Sequence, residues 1–254
     1  EEKNRLNPNN YMAMFETHIE QGPILEDNGN EVGVVTCVLG MFNYRIKFFG
    51  QADHAGTTPM PKRQDALFAA AKALCYLHEE IDKLGDKDLV YTGMTYNFSG
   101  SVDKDLVYTT GEIVCHPCVH TVIPDMIDFS IDVRHEDPKV LAKVLDIVKS
   151  LDGKVIEKCK CKVEKAWARD TVYYDKELVG YVKESVDELG YSNQYINSGA
   201  GHDAQFVSEM IPTTMIFAPS KDGHSHCEPE FTSVELCTKA ASVMLNAVLK
   251  TDKK

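Results

Sequence analysis

The chain has 254 residues, 43% of them hydrophobic and 26% charged, which is material for one or two globular cores. Its formal charge of −12 argues against nucleic acid and anionic membrane surfaces as partners, although a local arginine can still receive an anionic substrate. No run approaches the roughly 20 apolar residues of a membrane span. Glu1-Glu2-Lys3-Asn4-Arg5 is not followed by the apolar stretch of a secretion signal, so a cytoplasmic protein with its eight cysteines reduced is expected.

In chain order, residues 11–19 read as a strand ending in a polar turn. Residues 34–49 are rich in β-branched and aromatic residues, with a break expected at Gly40. Residues 51–61, with Gly56, Pro59 and Pro61, read as a loop. Leu67, Ala70, Ala71, Leu74 and Leu77 recur at helical spacing and predict a helix over 64–84. Strands are expected over 89–97, 106–115 and 126–134. In the last of these Ile127, Phe129, Ile131 and Val133 alternate onto one face. Pro138 opens a helix to about 151, and 155–166 is expected to be one strand. A helix over 176–189 closes at Gly190, followed by a short strand at 194–197 and a short helix at 203–210. The apolar run 213–218 reads as a buried parallel strand, and Ser233 caps a terminal helix to 249.

The order of elements between 42 and 166 is that of a self-contained α+β sandwich, ferredoxin-like, inserted into a different α/β sheet. The expected domains are therefore 1–41 and 167–254 together, with 42–166 between them. One repeat stands out: Asp86-Lys87-Asp88-Leu89-Val90-Tyr91-Thr92 recurs as Asp103-Lys104-Asp105-Leu106-Val107-Tyr108-Thr109, which predicts a duplicated strand.

Chemistry concentrates in four histidine clusters. These are His18-Ile19-Glu20-Gln21-Gly22-Pro23 at a strand end, Asp53-His54-Ala55-Gly56 in a loop, Gly199-Ala200-Gly201-His202-Asp203 at a strand-to-helix turn, and His224-Ser225-His226 after the buried strand. Loops at the carboxyl ends of parallel strands converge on one crevice, and histidine is the commonest metal ligand near neutral pH. The bland alternative for each histidine is a cap on a turn. Cys115 and Cys118 resemble a metal knuckle that Cys159 and Cys161 could complete, but the last two alternate within a strand and should share one buried face.

The segments "ETHIEQGPILE" (16–26), "DHAGTTPMPKRQDALFAAA" (53–71), "IDFSIDVRHED" (127–137), "SGAGHDA" (198–204) and "APSKDGHSHCEPEFTS" (218–233) together resemble the amidase/hydantoinase/carbamoylase branch of the aminoacylase and carboxypeptidase superfamily of dinuclear zinc hydrolases. That resemblance implies an α/β zinc-hydrolase catalytic domain carrying an inserted dimerisation or lid domain. It implies hydrolysis of the ureido C–N bond of an N-carbamoyl amino acid or related ureido acid, with allantoate as the nearest rival substrate. It assigns His18 and His226 as metal ligands, one to each ion. It assigns Gln21, Thr121, Arg134, Gly201 and His202 as substrate contacts, Arg134 clamping a carboxylate. His54 is implied as a catalytic oxyanion donor and substrate contact that reaches the partner subunit's site in a homodimer. The cofactors implied for the full-length enzyme are two divalent ions, zinc or else manganese or cobalt.

The sequence departs from this family in two places. The family's His-x-Asp pair, bridging Asp and Glu-Glu pair lie well upstream of the first matched histidine, and only 17 residues precede His18. Glu1-Glu2 lies too near, His135-Glu136-Asp137 follows Arg134, and Glu79-Glu80 belongs to a solvated helix face. The chain is therefore expected to be the C-terminal portion of a longer enzyme, holding little or no metal by itself and inactive alone, or behaving as a non-catalytic dimerisation module. The second departure is Thr121 before Val122-Ile123-Pro124, where the family has Asn, with Asp125 in place of Gly.

Overall fold

A computed structural model describes residues 7–84 and 106–253. The chain divides into two compact units: Glu1–Leu39 with Val172–Lys254, and Gly40–Thr171. The sequence reading set the corresponding boundaries at 42 and 166.

In the unit Gly40–Thr171, the strands are β3 (Gly40–Phe49), β4 (Val107–Thr109), β5 (Ile113–His116), β6 (Met126–His135), β7 (Val155–Ile156) and β8 (Cys159–Arg169). They form one antiparallel sheet in the order β4-β6-β3-β8-β7, with β5 also paired to β6. Two helices, α2 (Ala66–Asp82) and α3 (Pro138–Lys149), pack on one face. The cause is alternation. Ile127, Phe129, Ile131 and Val133 on β6 and Ile46 and Phe48 on β3 are buried against Ala69, Ala73, Leu77 and Ile81 of α2 and Val144 and Val148 of α3. Each such large side chain contributes roughly 1.5–3 kcal/mol through burial. The opposite face carries Arg45, Asp128, Asp132 and Arg134, with Arg45 paired to Asp128 at 2.8 Å.

The helix starts follow their caps. Asp65 accepts the Leu67 and Phe68 amides and sets the start of α2, and Asp137 accepts the Lys139 amide ahead of Pro138. Helix α2 stops at Asp82, two residues short of the expected end.

Three strand expectations are corrected. Residues 34–49 are two strands, as the expected break implies, but they divide at Leu39 rather than at Gly40. Gly40 begins the second, where a Cβ would fall 2.7 Å from Leu141 and 3.0 Å from the Thr171 amide nitrogen. The run 106–115 is two strands, because three residues (110–112) face two (130–131) of β6 in a bulge, with Glu112 and Ser130 bonded through their backbones. The run 155–166 is a hairpin, β7 to β8, that turns on Glu157 and Lys158, both at positive φ (46° and 64°). No Asn or Gly advertises that turn. The first copy of the repeat and the expected strand 89–97 lie outside the described residues. In the second copy Leu106 is buried and Val107–Thr109 form β4.

Cys159 and Cys161 are buried on one face of β8, as the alternation predicts. Cys115 lies opposite Ile127, Ile127 opposite Phe48, and Phe48 opposite Cys161, so three strand spacings of about 4.8 Å each separate the cysteine pairs. They cannot share a zinc ion. Burial pushes the Cys161 thiol up to about 12.

The other unit contains β1 (Met14–Ile19), α1 (Ile24–Asp27), β2 (Val32–Val38), β9 (Val172–Tyr173), α4 (Lys176–Glu188), β10 (Asn193–Ser198), α5 (Asp203–Val207), β11 (Thr213–Ala218) and α6 (Val234–Asp252). The sheet order is β1-β11-β2-β10, with β9 beside β2. Every residue of β11 is buried, as its apolar run requires, and it lies parallel to β1. Helices α4 and α6 cover the sheet through Leu178, Val182, Val186, Ala240, Val243 and Ala247. Gly190, at φ 73°, ends α4, and Ser233 caps α6 through the Leu236 amide. Helix α5 ends at Val207, shorter than expected. Among the described residues no helix is long and apolar enough to cross a membrane.

Candidate functional site

Strands β1 and β11 run parallel and end in register, His18 opposite Phe217 and Ile19 opposite Ala218. The loops that follow them therefore leave at the same edge. Gln21, three residues after His18, meets the second loop: its Nε2 donates to Ser225 Oγ at 3.0 Å and lies 3.3 Å from His226 Nε2, and its own amide donates to Ser220 Oγ at 3.0 Å. Gln21 and His226 both occupy the left-handed region, at φ 61° and 55°. Such residues cost about 1–3 kcal/mol each and persist only where neighbours fix them. The neighbour for Gln21 is the buried Ser220. The neighbour for His226 is Glu230, whose Oε2 accepts both Ser225 Oγ (2.8 Å) and the His226 amide (3.0 Å). Those two bonds hold the Glu230 carboxyl below its ordinary range.

Glu20, between His18 and Gln21, is buried. Its two oxygens accept the amides of Ile24 and Leu25 at 2.8 and 2.9 Å. Desolvation raises its pKa, and the two amides oppose that rise. The carboxylate thus closes the start of α1 and fixes the bend after the strand.

The third cluster reaches the same place by another route. The carboxyl ends of parallel strands were expected to bring the clusters together. Strand β2 is antiparallel to β11 but parallel to β10, so β10 runs opposite to β1 and β11. The 199–202 loop instead carries His202 back over the sheet. Its ring packs edge-on against His18 with centroids 4.7 Å apart, and lies 5.6 Å from Phe217. His202 is 6% exposed, and burial, reinforced by His18, pushes its pKa down to about 4, so the ring is neutral. Its Nε2 is 2.8 Å from Ser198 Oγ and its Nδ1 is 3.7 Å from Glu16 Oε1. Gly201, just before it, is exposed.

The remaining expected residues lie in the unit Gly40–Thr171. His54 is exposed, with its Nδ1 accepting the Gly56 and Thr57 amides at 3.0 and 3.3 Å. It bridges to Val122, and the Ala55 amide donates to the Thr121 carbonyl at 2.9 Å, so His54 and Thr121 are neighbours. Arg134 lies near the other end of β6, opposite Met41, and donates from Nε to Asp132 at 2.7 Å.

The donor set for metal can be tested directly. His18 Nδ1 lies 2.8 Å from the Ile19 carbonyl, which only accepts, so the proton sits on Nδ1 and Nε2 keeps its lone pair. A histidine that ligates a metal commonly donates its other ring N–H to a backbone carbonyl in this way. His226 Nε2 faces an amide donor and keeps its lone pair as well. Both atoms fit the chemistry of ligands. Two imidazoles are half of the roughly four donors zinc takes. Among the described residues no group of three or more His, Cys, Asp and Glu side chains is arranged to hold a metal ion.

Sequence reasoning singled out neither Ser198, Glu16, Ser220, Ser225 nor Glu230. All five lie inside the quoted motif segments, but short hydroxyls and acceptors carry no signal until the loops are folded together.

The chain matches the model of peptidase family M20/M25/M40 over residues 4–250. It is 31% identical to an N-carbamoyl-L-amino-acid amidohydrolase of Paenarthrobacter aurescens over 95% of this chain and 55% of that protein. It is 34% identical to an allantoate amidohydrolase of Bacillus subtilis (strain 168) over 87% of this chain and 50% of that protein. An amidase of the hydantoinase/carbamoylase family from Burkholderia vietnamiensis superposes with a TM-score of 0.75 at 35% identity, covering 94% of this chain and 54% of that one. The chain spans about half the length of these relatives. It belongs to peptidase family M20/M25/M40 and is similar to amidases of the hydantoinase/carbamoylase family.

Proposed function

We propose that this chain supplies the substrate-holding part of a metal-dependent amidohydrolase that cleaves the ureido C–N bond of N-carbamoyl amino acids or a related ureido acid. The observation that carries this reading is the junction of Gln21 with His226, beside the contact of His18 with His202, at the shared end of β1 and β11. Two of these side chains offer an Nε2 lone pair, and Gln21 offers an amide that can exchange its present partners for a substrate.

In this proposal His18 and His226 each hold one divalent ion. The ions, when bound, supply Lewis-acid activation of water and of the scissile carbonyl. The chain's own residues do the rest. Gln21, Gly201 and His202 orient the ureido group. Arg134 forms a two-pronged clamp on the substrate carboxylate, for which its guanidinium is suited. His54 donates to the developing oxyanion, and Thr121 offers a hydroxyl beside it. His54 and Thr121 act in the partner subunit's site, so the unit Gly40–Thr171 is also the dimerisation unit. Products from an N-carbamoyl amino acid are the free amino acid, ammonia and carbon dioxide.

Two lone pairs do not complete a dinuclear centre, so the chain by itself is proposed to be inactive. The test is ammonia release from a panel of N-carbamoyl amino acids and allantoate, with zinc, manganese or cobalt added. Release is expected from a protein that joins this chain to the remaining metal donors, and none from the chain alone. Allantoate is the second substrate class because Thr121 alters the contact beside His54. A joined protein that hydrolyses neither class leaves the non-catalytic binding module as the better reading.

A further inference from the structure

Ser198 is buried at 1% exposure, and its hydroxyl meets three polar atoms of the loop that follows β10. It lies 2.9 Å from the Ala200 carbonyl, 3.2 Å from the Ala200 amide nitrogen and 2.8 Å from His202 Nε2. A hydroxyl has one proton and two lone pairs. The carbonyl only accepts, so it takes the proton. The Ala200 amide only donates, so it takes one lone pair. The lone pair that is left requires His202 Nε2 to carry hydrogen. A second hydrogen on Nδ1 would need an acceptor, and the carboxylate on the far side does not provide one: Nδ1 stands 3.7 Å from Glu16 Oε1, too far for a hydrogen bond, and Glu16 Oε2 is already satisfied by the Ala204 amide at 2.7 Å, so Nδ1 is bare.

We infer that Ser198 is a positioning residue that locks His202 in its Nε2–H tautomer, so that His202 presents Nδ1 as a hydrogen-bond acceptor beside Glu16. The two acceptors side by side select a donor group, the class to which a ureido or primary amide N–H belongs, over a carbonyl or carboxylate oxygen. The step from acceptor to ureido recognition rests on the proposed function. The tautomer itself does not.

The experiment is two-dimensional 1H–15N correlation of the histidine rings, through their carbon-bound protons, on the full chain at neutral pH. His202 is assigned by loss of its signals in His202→Asn. In the wild type, Nε2 is expected at the protonated-nitrogen shift and Nδ1 at the bare-nitrogen shift. In Ser198→Ala both nitrogens are expected to move toward averaged values, and Ser198→Thr, which keeps the hydroxyl, is expected to restore the wild-type pattern. A wild-type His202 with its proton on Nδ1 overturns the inference whatever the variants do. So does a folded Ser198→Ala whose two nitrogens stay where they were. A failure of the ureido assay with the wild-type tautomer intact would count against the proposed function and leave the lock standing.

Discussion

Arg134 and His54 belong to opposite ends of one strand pair. Met41 faces Arg134, Phe49 faces Met126, and His54 lies beyond Phe49 where it bridges to Val122. Eight residue steps along β6 separate Met126 from Arg134, a span of roughly 26 Å. One copy of the unit cannot bring both side chains to a single small substrate. If both act on one, they come from different copies. Light scattering at micromolar concentration is expected to give twice the chain mass, through an interface burying about 1,200 Å² or more. A monomer at every concentration would remove the role given to His54.

Glu20 is the acceptor for two amides at the start of α1 and sits between two site residues. Glu20→Ala leaves both amides without their partner and is expected to cost about 1–3 kcal/mol of stability in urea unfolding. Glu20→Gln keeps one acceptor and should cost less. Equal stability of all three proteins would mean that the bend after His18 is held by something else.

Acid should act on the site through His202. Its folded pKa, about 4, lies below the ordinary value of 6.5, so the folded state disfavours the protonated ring. That contribution is fully present above pH 6.5 and is lost as the pH falls toward 4. Glu20 works the other way, since its raised folded pKa favours the fold as acid is added. The comparison is therefore between wild type and His202→Asn. Their difference in unfolding free energy should change between pH 7 and pH 4.5, with the wild type losing more. Parallel curves would show that the ring titrates alike in both states.

Thiol reactivity reports the two cysteine environments. Cys75, Cys118, Cys227 and Cys237 are exposed, whereas Cys37, Cys159 and Cys161 are buried. Desolvation keeps Cys159 and Cys161 protonated. Iodoacetamide under native conditions should label the first four, as read by peptide mass spectrometry, and reach the buried three only after denaturation. Rapid native labelling of Cys161 would contradict the position of β8.

The elements most legible in the sequence were those whose periodicity is imposed by burial. The alternation on β6, the helix over Ala66–Asp82 and the apolar run of β11 could be read directly, because one face or the whole element is removed from water. What escaped was set by local backbone detail. The hairpin at Glu157-Lys158 uses positive φ at residues that do not favour it, and the split between β4 and β5 depends on a bulge opposite Ser130. The histidines of the site were visible because imidazoles among glycines are unusual in a packed core. The hydroxyls and carboxylates that hold them, Ser198, Ser220 and Glu230, were not. Their role exists only once residues up to about 200 positions apart, such as Gln21 and Ser220, are brought together.

Arg134 tests the account most directly, because a surface ion pair and a carboxylate clamp make different demands on it. Its bond to Asp132 joins two partly exposed side chains on one face of β6, worth at most about 1 kcal/mol as a surface pair. Lysine would keep that attraction but lose the paired N–H donors. The measurement is kcat/KM for an N-carbamoyl amino acid, beside the melting temperature, for wild type and Arg134→Lys in the enzyme with its complete metal donor set. The account predicts a loss of roughly 2–4 kcal/mol in transition-state binding, a fall of about 30- to 1,000-fold, with the melting temperature unchanged. Equal kcat/KM for the two proteins would return Arg134 to the surface and contradict the carboxylate-bearing substrate.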